Sequence, residues 1–322
     1  MKRGYVSMLL GTLLIVGTVP PALAFTVYVT NQGENSISII DGKSKKLLET
    51  VKITQAKPHN AALTKDGRWL YTANVGSGSV SVFDPASKTE VAVIPADKGT
   101  HGVTLTPDEK QLWTANVQAD TVSVIDRASQ KVLRTIKVGT KPMLVAFTPD
   151  GKKAYVSNGG SGDVYVIDTA SGEVTKKLFA GKDAMGTVTA PGGGEVWVTE
   201  GGDNIVSVLD TKKDEVVAEI KIGTDTHGIV LSKDGKRAYI TVRKEHFVAV
   251  VDVPSRKVLD KIPVSELPDI PDLSPDGKEL WVTSRRAHAV DVIDLGTNRK
   301  THTIKVGLTA EPDPHGLVIS AR

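Results

Sequence analysis

Seven side chains able to bind a metal recur at one position of a repeating unit. At a spacing of 42 residues they are His59, His101, Met143, Met185, His227 and Asp269; an insertion at residues 309–312 (TAEP) sets the seventh, His315, further along. Imidazole suits copper, zinc and iron, whereas thioether is soft and favours Cu(I). The mixture points to copper before zinc, or to an iron cofactor with an axial His or Met ligand. The chain has no cysteine, which excludes disulfides, thiolate metal sites, a Cys nucleophile and a CxxCH haem attachment. The competing structural reading is that histidine caps a strand here and methionine fills the same slot.

A second constellation lies in two neighbouring copies of the unit. Where other copies have small residues (NVGSGS, NVQADT, NGGSGD), these read Arg243-Lys244-Glu245-His246 and Arg285-Arg286-Ala287-His288. Arginine pairs with carboxylate or phosphate through two parallel hydrogen bonds. The loops are therefore expected to hold an anionic ligand, such as the carboxylates of a metallocofactor, or an acidic partner surface. The alternative is a solvated charged rim. No GxSxG elbow is present and no Ser/His/Asp order stands out, so no catalytic residue is assigned. Glu200, Asp203 and Asp269 are the acids open to a lactonase-like hydrolase, but a hard-metal hydrolase has little use for two methionines.

The elements that must position these residues follow from the repeat itself. An aromatic column runs Tyr28, Tyr71, Trp113, Tyr155, Trp197, Tyr239 and Trp281, and an acidic column runs Asp41, Asp84, Asp126, Asp168, Asp210, Asp252 and Asp294. Each copy reads as four short strands, for example MLVAFTP, QLWTANV, TVSVID and KVLRTIKVG, with turns such as PDG and KDG between them. Four strands in ~40–45 residues make one propeller blade. The expected fold is all-β, a seven-bladed β-propeller of four-stranded antiparallel blades. The chain starts on a second strand (VYVTN) and ends on a lone first strand (HGLVIS), so its two ends are expected to complete one blade. The metal-binding column then opens the innermost strand of every blade, at the mouth of the central channel. The aromatic column is read as blade packing, and the acidic column as Asx-type turns. A third column, Asn31, Asn74, Asn116 and Asn158, is read as serving turns; Glu200 breaks it and is read as a solvated surface residue.

Residues 1–24 read as a cleaved signal peptide. Lys2 and Arg3 precede a short apolar run, and Ala22-Leu23-Ala24 offers a small-residue cleavage site. The expected product is a single propeller domain, residues 25–322, in the periplasm or secreted, with no membrane span and monomeric. The whole chain has 40 basic and 37 acidic residues, and the signal carries away two of the basic ones. The near-neutral remainder disfavours nucleic acid as a partner.

The unit PHG-I-L-x-DG-x-x-Y-V-T-N … V-S-V-I-D resembles the YVTN repeat family of β-propellers, with the literal YVTN at residues 28–31. The resemblance spans the chain beyond residue 24. It implies the propeller fold and leaves function open, because similar propellers include the d1-type haem domain of periplasmic nitrite reductases, the copper-bearing domain of nitrous-oxide reductase, sugar lactonases and exported proteins of unknown role. The ring and the basic loops give the expectation of a non-catalytic binding propeller, for which the similar haem propellers are the analogy. It would hold copper, or an anionic metallocofactor such as d1-type haem, at the channel mouth. A lactonase-like hydrolase and a cofactor-free interaction scaffold are the alternatives.

Overall fold

The computed structural model describes Met1 and residues 25–320. The expected signal peptide and its cleavage after Ala24 lie outside the described residues. Twenty-eight strands, β1–β28 in chain order, form seven four-stranded antiparallel sheets among the described residues. The alternation of Val and Ile with Ser and Thr explains why. β-Branched residues fit a pleated surface, and packing against blades on both sides buries both faces. The middle strands of each blade are accordingly buried almost throughout. The outermost strand of the third blade, Lys131–Lys137, alternates apolar and charged residues and keeps much of its length exposed.

The expected closure is present. The last strand, β28 (Pro314–Ser320), pairs with the first, β1 (Thr26–Asn31), with Tyr28 opposite Val318 and Val29 opposite Leu317. That sheet continues into Ser36–Asp41 and Lys46–Lys52. The aromatic column is buried in every blade. Trp113 meets Phe147 edge-on at 5.3 Å, and Trp281 meets Phe25 at 5.7 Å, each contact joining neighbouring blades. The acidic column forms the expected turns: Asp41, Asp126, Asp168 and Asp294, for instance, each accept the backbone N–H three residues on at 2.6–2.8 Å.

The asparagine column differs from expectation. These residues are fully buried and bond across the blade rather than within a turn. Asn31 Nδ2 donates to Ser36 and Ser38 at 2.9 Å, and Asn116 Nδ2 to Thr121 and Ser123 at 3.1 and 3.0 Å. Their position at the end of a buried strand places the amide inside the blade, where it needs protein partners. Glu200 is likewise buried, not solvated.

Candidate metal centre

The seven innermost strands are β4 (Pro58–Leu63), β8 (Thr100–Leu105), β12 (Pro142–Phe147), β16 (Ala184–Thr189), β20 (Thr226–Leu231), β24 (Pro268–Leu273) and β28. Each carries its column residue in second place. The register to the next strand slips there, between Pro142 and Val145 or between Thr226 and Ile229, for example. Such a bulge re-aims a side chain, here toward the axis. A glycine follows in four of the blades because the neighbouring strand passes close. A Cβ on Gly102 would strike the Met143 carbonyl, and one on Gly228 the Asp269 carbonyl. Threonines lace blade to blade just below the ring: Thr30 Oγ1 donates to the His59 carbonyl at 2.6 Å, and Thr283 Oγ1 to the His315 carbonyl at 2.8 Å.

The column does converge. A cavity of about 150 Å³ at the axis is lined by His59, His101, Met143, Met185 and His227, with Ile229 and Ile270 among its apolar walls. The His59 ring is sandwiched between His101 and His315, with centroids 3.7 and 3.6 Å away. Asp269, fully buried, bridges the other side: its Oδ1 is 2.9 Å from His227 Nε2 and its Oδ2 is 2.7 Å from His315 Nδ1. The second contact is close but poorly aligned for a hydrogen bond.

The proton states follow from these contacts. Burial pushes the His59 imidazole well below its ordinary range, and the charge that His101 and His315 would carry pushes it further. Burial takes His101 down to about 3. Burial opposes ionisation of Asp269, but the adjoining His227 and His315 outweigh it and hold the carboxyl well below the usual range. His59 and His101 are thus neutral imidazoles beside a buried carboxylate.

Neutral imidazole has one lone pair, and the partners decide where it points. His101 donates from Nδ1 to the Met143 carbonyl at 3.1 Å, leaving Nε2 free. His59 Nδ1 is buried without a partner. His227 is different. Nε2 lies 2.9 Å from Asp269 Oδ1, and Arg243 Nη1 lies 2.9 Å from Nδ1 and 3.2 Å from Nε2, so both nitrogens are engaged. Arg243 also reaches Asp269 Oδ1 at 3.4 Å and Asp225 Oδ2 at 3.5 Å. Asp269 and His227 are therefore tied into an ion-pair network, while the lone pairs of His59 and His101 and the thioethers of Met143 and Met185 remain at the cavity. Among the described residues, no three His, Asp or Glu side chains are grouped to hold an ion.

The basic loops do not form an open cationic patch. Arg243 turns inward to the ring. Arg285 is clamped through two hydrogen bonds, 2.7 and 2.9 Å, by Asp313 of the inserted loop. Lys244 and Arg286 are exposed. His246 and His288 occupy left-handed turn positions, φ 55° and 51°, and His246 Nδ1 accepts the Leu267 N–H at 3.2 Å. Sequence reasoning missed Asp225 and Asp313, which neutralise the arginines; both stand two residues before a ring residue, a position filled by Lys57, Gly99 and Lys141 in the first copies and by Asp183 before Met185.

A family description, YNCE-like beta-propeller, matches residues 68–184 and 196–320, well over half of the chain. The protein belongs to the YNCE-like beta-propeller family. Among solved structures, a Kuenenia stuttgartiensis hydrazine synthase chain is similar at 24% identity and TM-score 0.77, over 90% of this chain and 99% of that one. A functionally unknown protein from Desulfotomaculum acetoxidans DSM 771 is similar at 13% identity and TM-score 0.81, over 92% of this chain and 98% of its own. Both likenesses show that the YNCE-like fold is shared, and nothing finer. A comparison with curated proteins gave no match. No helix among the described residues of this YNCE-like propeller is long and apolar enough to cross a membrane.

Proposed function

We propose that this propeller is a non-catalytic binding protein for one soft transition-metal ion, with Cu(I) the best fit, held by His59, His101, Met143 and Met185. The observation that carries this reading is the single axial cavity where two neutral imidazoles and two thioethers meet. Thioether is a poor ligand for zinc, calcium or magnesium and a good one for Cu(I). Neutral imidazole needs no proton removed before it binds. Asp269 and Arg243 hold His227 and His315 beside the ligand set.

The cavity suits an ion and not a tetrapyrrole. Its 150 Å³ falls below the ~300–1,000 Å³ of small-molecule sites. A d1-type haem would have to lie above the mouth, where only Lys244 and Arg286 of the basic loops are exposed. The signal-like residues 1–24 support export, which would place the site in the periplasm or outside the cell.

The test is an anaerobic Cu(I) titration against a competing chelator, with zinc as the control metal. The expected result is one Cu(I) per chain, with affinity at least about tenfold weaker, ~1.4 kcal/mol, in each of Met143→Leu and Met185→Leu. Sulfur scattering in the copper X-ray absorption spectrum should fall in both variants. Equal affinity in the parent and the leucine variants, or no uptake by the parent, overturns the reading.

A further inference from the structure

Glu200 closes β17 (Glu195–Glu200) in the fifth blade, fully buried, and neither carboxyl oxygen has a hydrogen-bond partner. The charged groups bearing on it are all acids: Asp203 from the next loop, Asp183 from the loop before β16, and Glu219 from β19 (Glu215–Lys221). Lys182 and Lys221 on the same elements are exposed. Glu200 Oε2 and Asp203 Oδ2 both border the space that a side chain on Gly181 would fill.

The other blades show what this slot requires. In four it holds an asparagine whose amide donates to the third strand, as Asn74 does to Ser81 at 2.9 Å. In the sixth it is apolar, with Val242 beside Phe247 and Ala249. In the seventh it is Ser284, and the carboxylate there comes from the third strand: Asp291, to which Ser265, Ser284 and Thr303 all donate, with Lys300 Nζ 3.6 Å away. Glu200 has no such escort. Ser207, which occupies the place of Ser81, donates its own proton to the Ala180 carbonyl at 2.9 Å.

We infer that Glu200 is carried as the neutral acid, a proton-bearing stand-in for asparagine, which makes the fifth blade a pH-responsive element of the ring. The proton gives the carboxyl a donor where the other blades have the asparagine amide, and it removes a charge that no neighbour on these elements would offset. Burial, then the charge of Asp203, raises the carboxyl to about 9. The sign follows by linkage. In the unfolded chain the group ionises near 4.5, so between there and about 9 the folded state holds the extra proton. Its contribution is fully present below the unfolded value and is lost as pH rises through this window.

The experiment compares thermal unfolding of the parent with Glu200→Gln and Glu200→Asn from pH 5 to pH 9, with and without added calcium or magnesium. The expected result is that the amide variants lose less stability than the parent as pH rises, so that the difference in Tm widens steadily in their favour. A pH-independent difference, or a parent that gains on the variants with rising pH, overturns the inference. So does a rise in Tm with either cation that the parent shows and Glu200→Gln lacks, since Glu200 would then be an ionised ligand. An infrared difference spectrum at neutral pH, parent minus Glu200→Gln, gives a second reading. It should contain a protonated-carboxyl C=O band, and a carboxylate band in its place refutes the neutral acid.

Discussion

At the scale of the residue, seven side chains in equivalent positions do different work. The side chains of Met143 and Met185 border the cavity. Asp269 is buried against two histidines and an arginine. Substitution should separate these roles. Met143→Leu keeps volume and is expected to cost under ~1.5 kcal/mol of stability while weakening Cu(I) binding. Asp269→Asn removes the buried one of the two carboxylates that face Arg243, and is expected to cost about 3 kcal/mol whether or not copper is present. Chemical denaturation of both variants, metal-free, checks the contrast.

At the scale of the element, each blade is pinned by an aspartate at the end of its third strand. All seven carboxyls are held below the ordinary range, chiefly by hydrogen bonds from the turn that follows, as in Asp126 with Ser129 and Asp210 with Lys213 and Lys212. A carboxyl depressed on folding stabilises above its unfolded value, and that contribution is lost as pH falls through the folded value. Asp126→Asn should therefore lower Tm at pH 7, with the difference beginning to shrink as pH falls past the unfolded value of 3.8 toward the lower folded one. A Tm series from pH 7 to pH 3 decides it.

These turns were legible in the sequence because a repeat states the same instruction seven times. The aromatic and aspartate columns each mark a position whose neighbours hardly change from blade to blade. What differs between blades was harder to read. Arg243 was placed in the right loop, yet its partners Asp225 and Asp269 come from other strands, and only three-dimensional placement shows them consuming its charge. Glu200 was misread as a surface residue because it borders a loop. A signal was present in its surroundings: Asn31, Asn74 and Asn116 are each followed seven residues later by the serine that they bond, and Ser207 keeps that place after Glu200.

At the scale of the whole molecule, the ring is closed by hydrogen bonds between β1 and β28, and the inserted loop reinforces the seam. Glu34 accepts the N–H groups of Leu308 and Thr309 at 2.8–3.0 Å, and Gly33 N–H donates to the Pro312 carbonyl at 2.9 Å. Removing residues 314–322 would expose the inner edge of β1 and take away His315, one face of the histidine stack. The truncated chain is expected to lose cooperative unfolding and to aggregate, read by calorimetry and by light scattering. Retention of a single sharp transition would show that the seam is dispensable.

The same seam sets a timetable. Val29 leaves the ribosome among the first residues of the fold, yet its partner Leu317 is among the last. The middle blades can form from contiguous sequence as it appears, while the first strand waits, unpaired along one edge, for almost the whole of synthesis. Contacts so distant in sequence form slowly. The molecule is therefore obliged to finish where it began, and until its final strand arrives it is an open arc with a sticky leading edge.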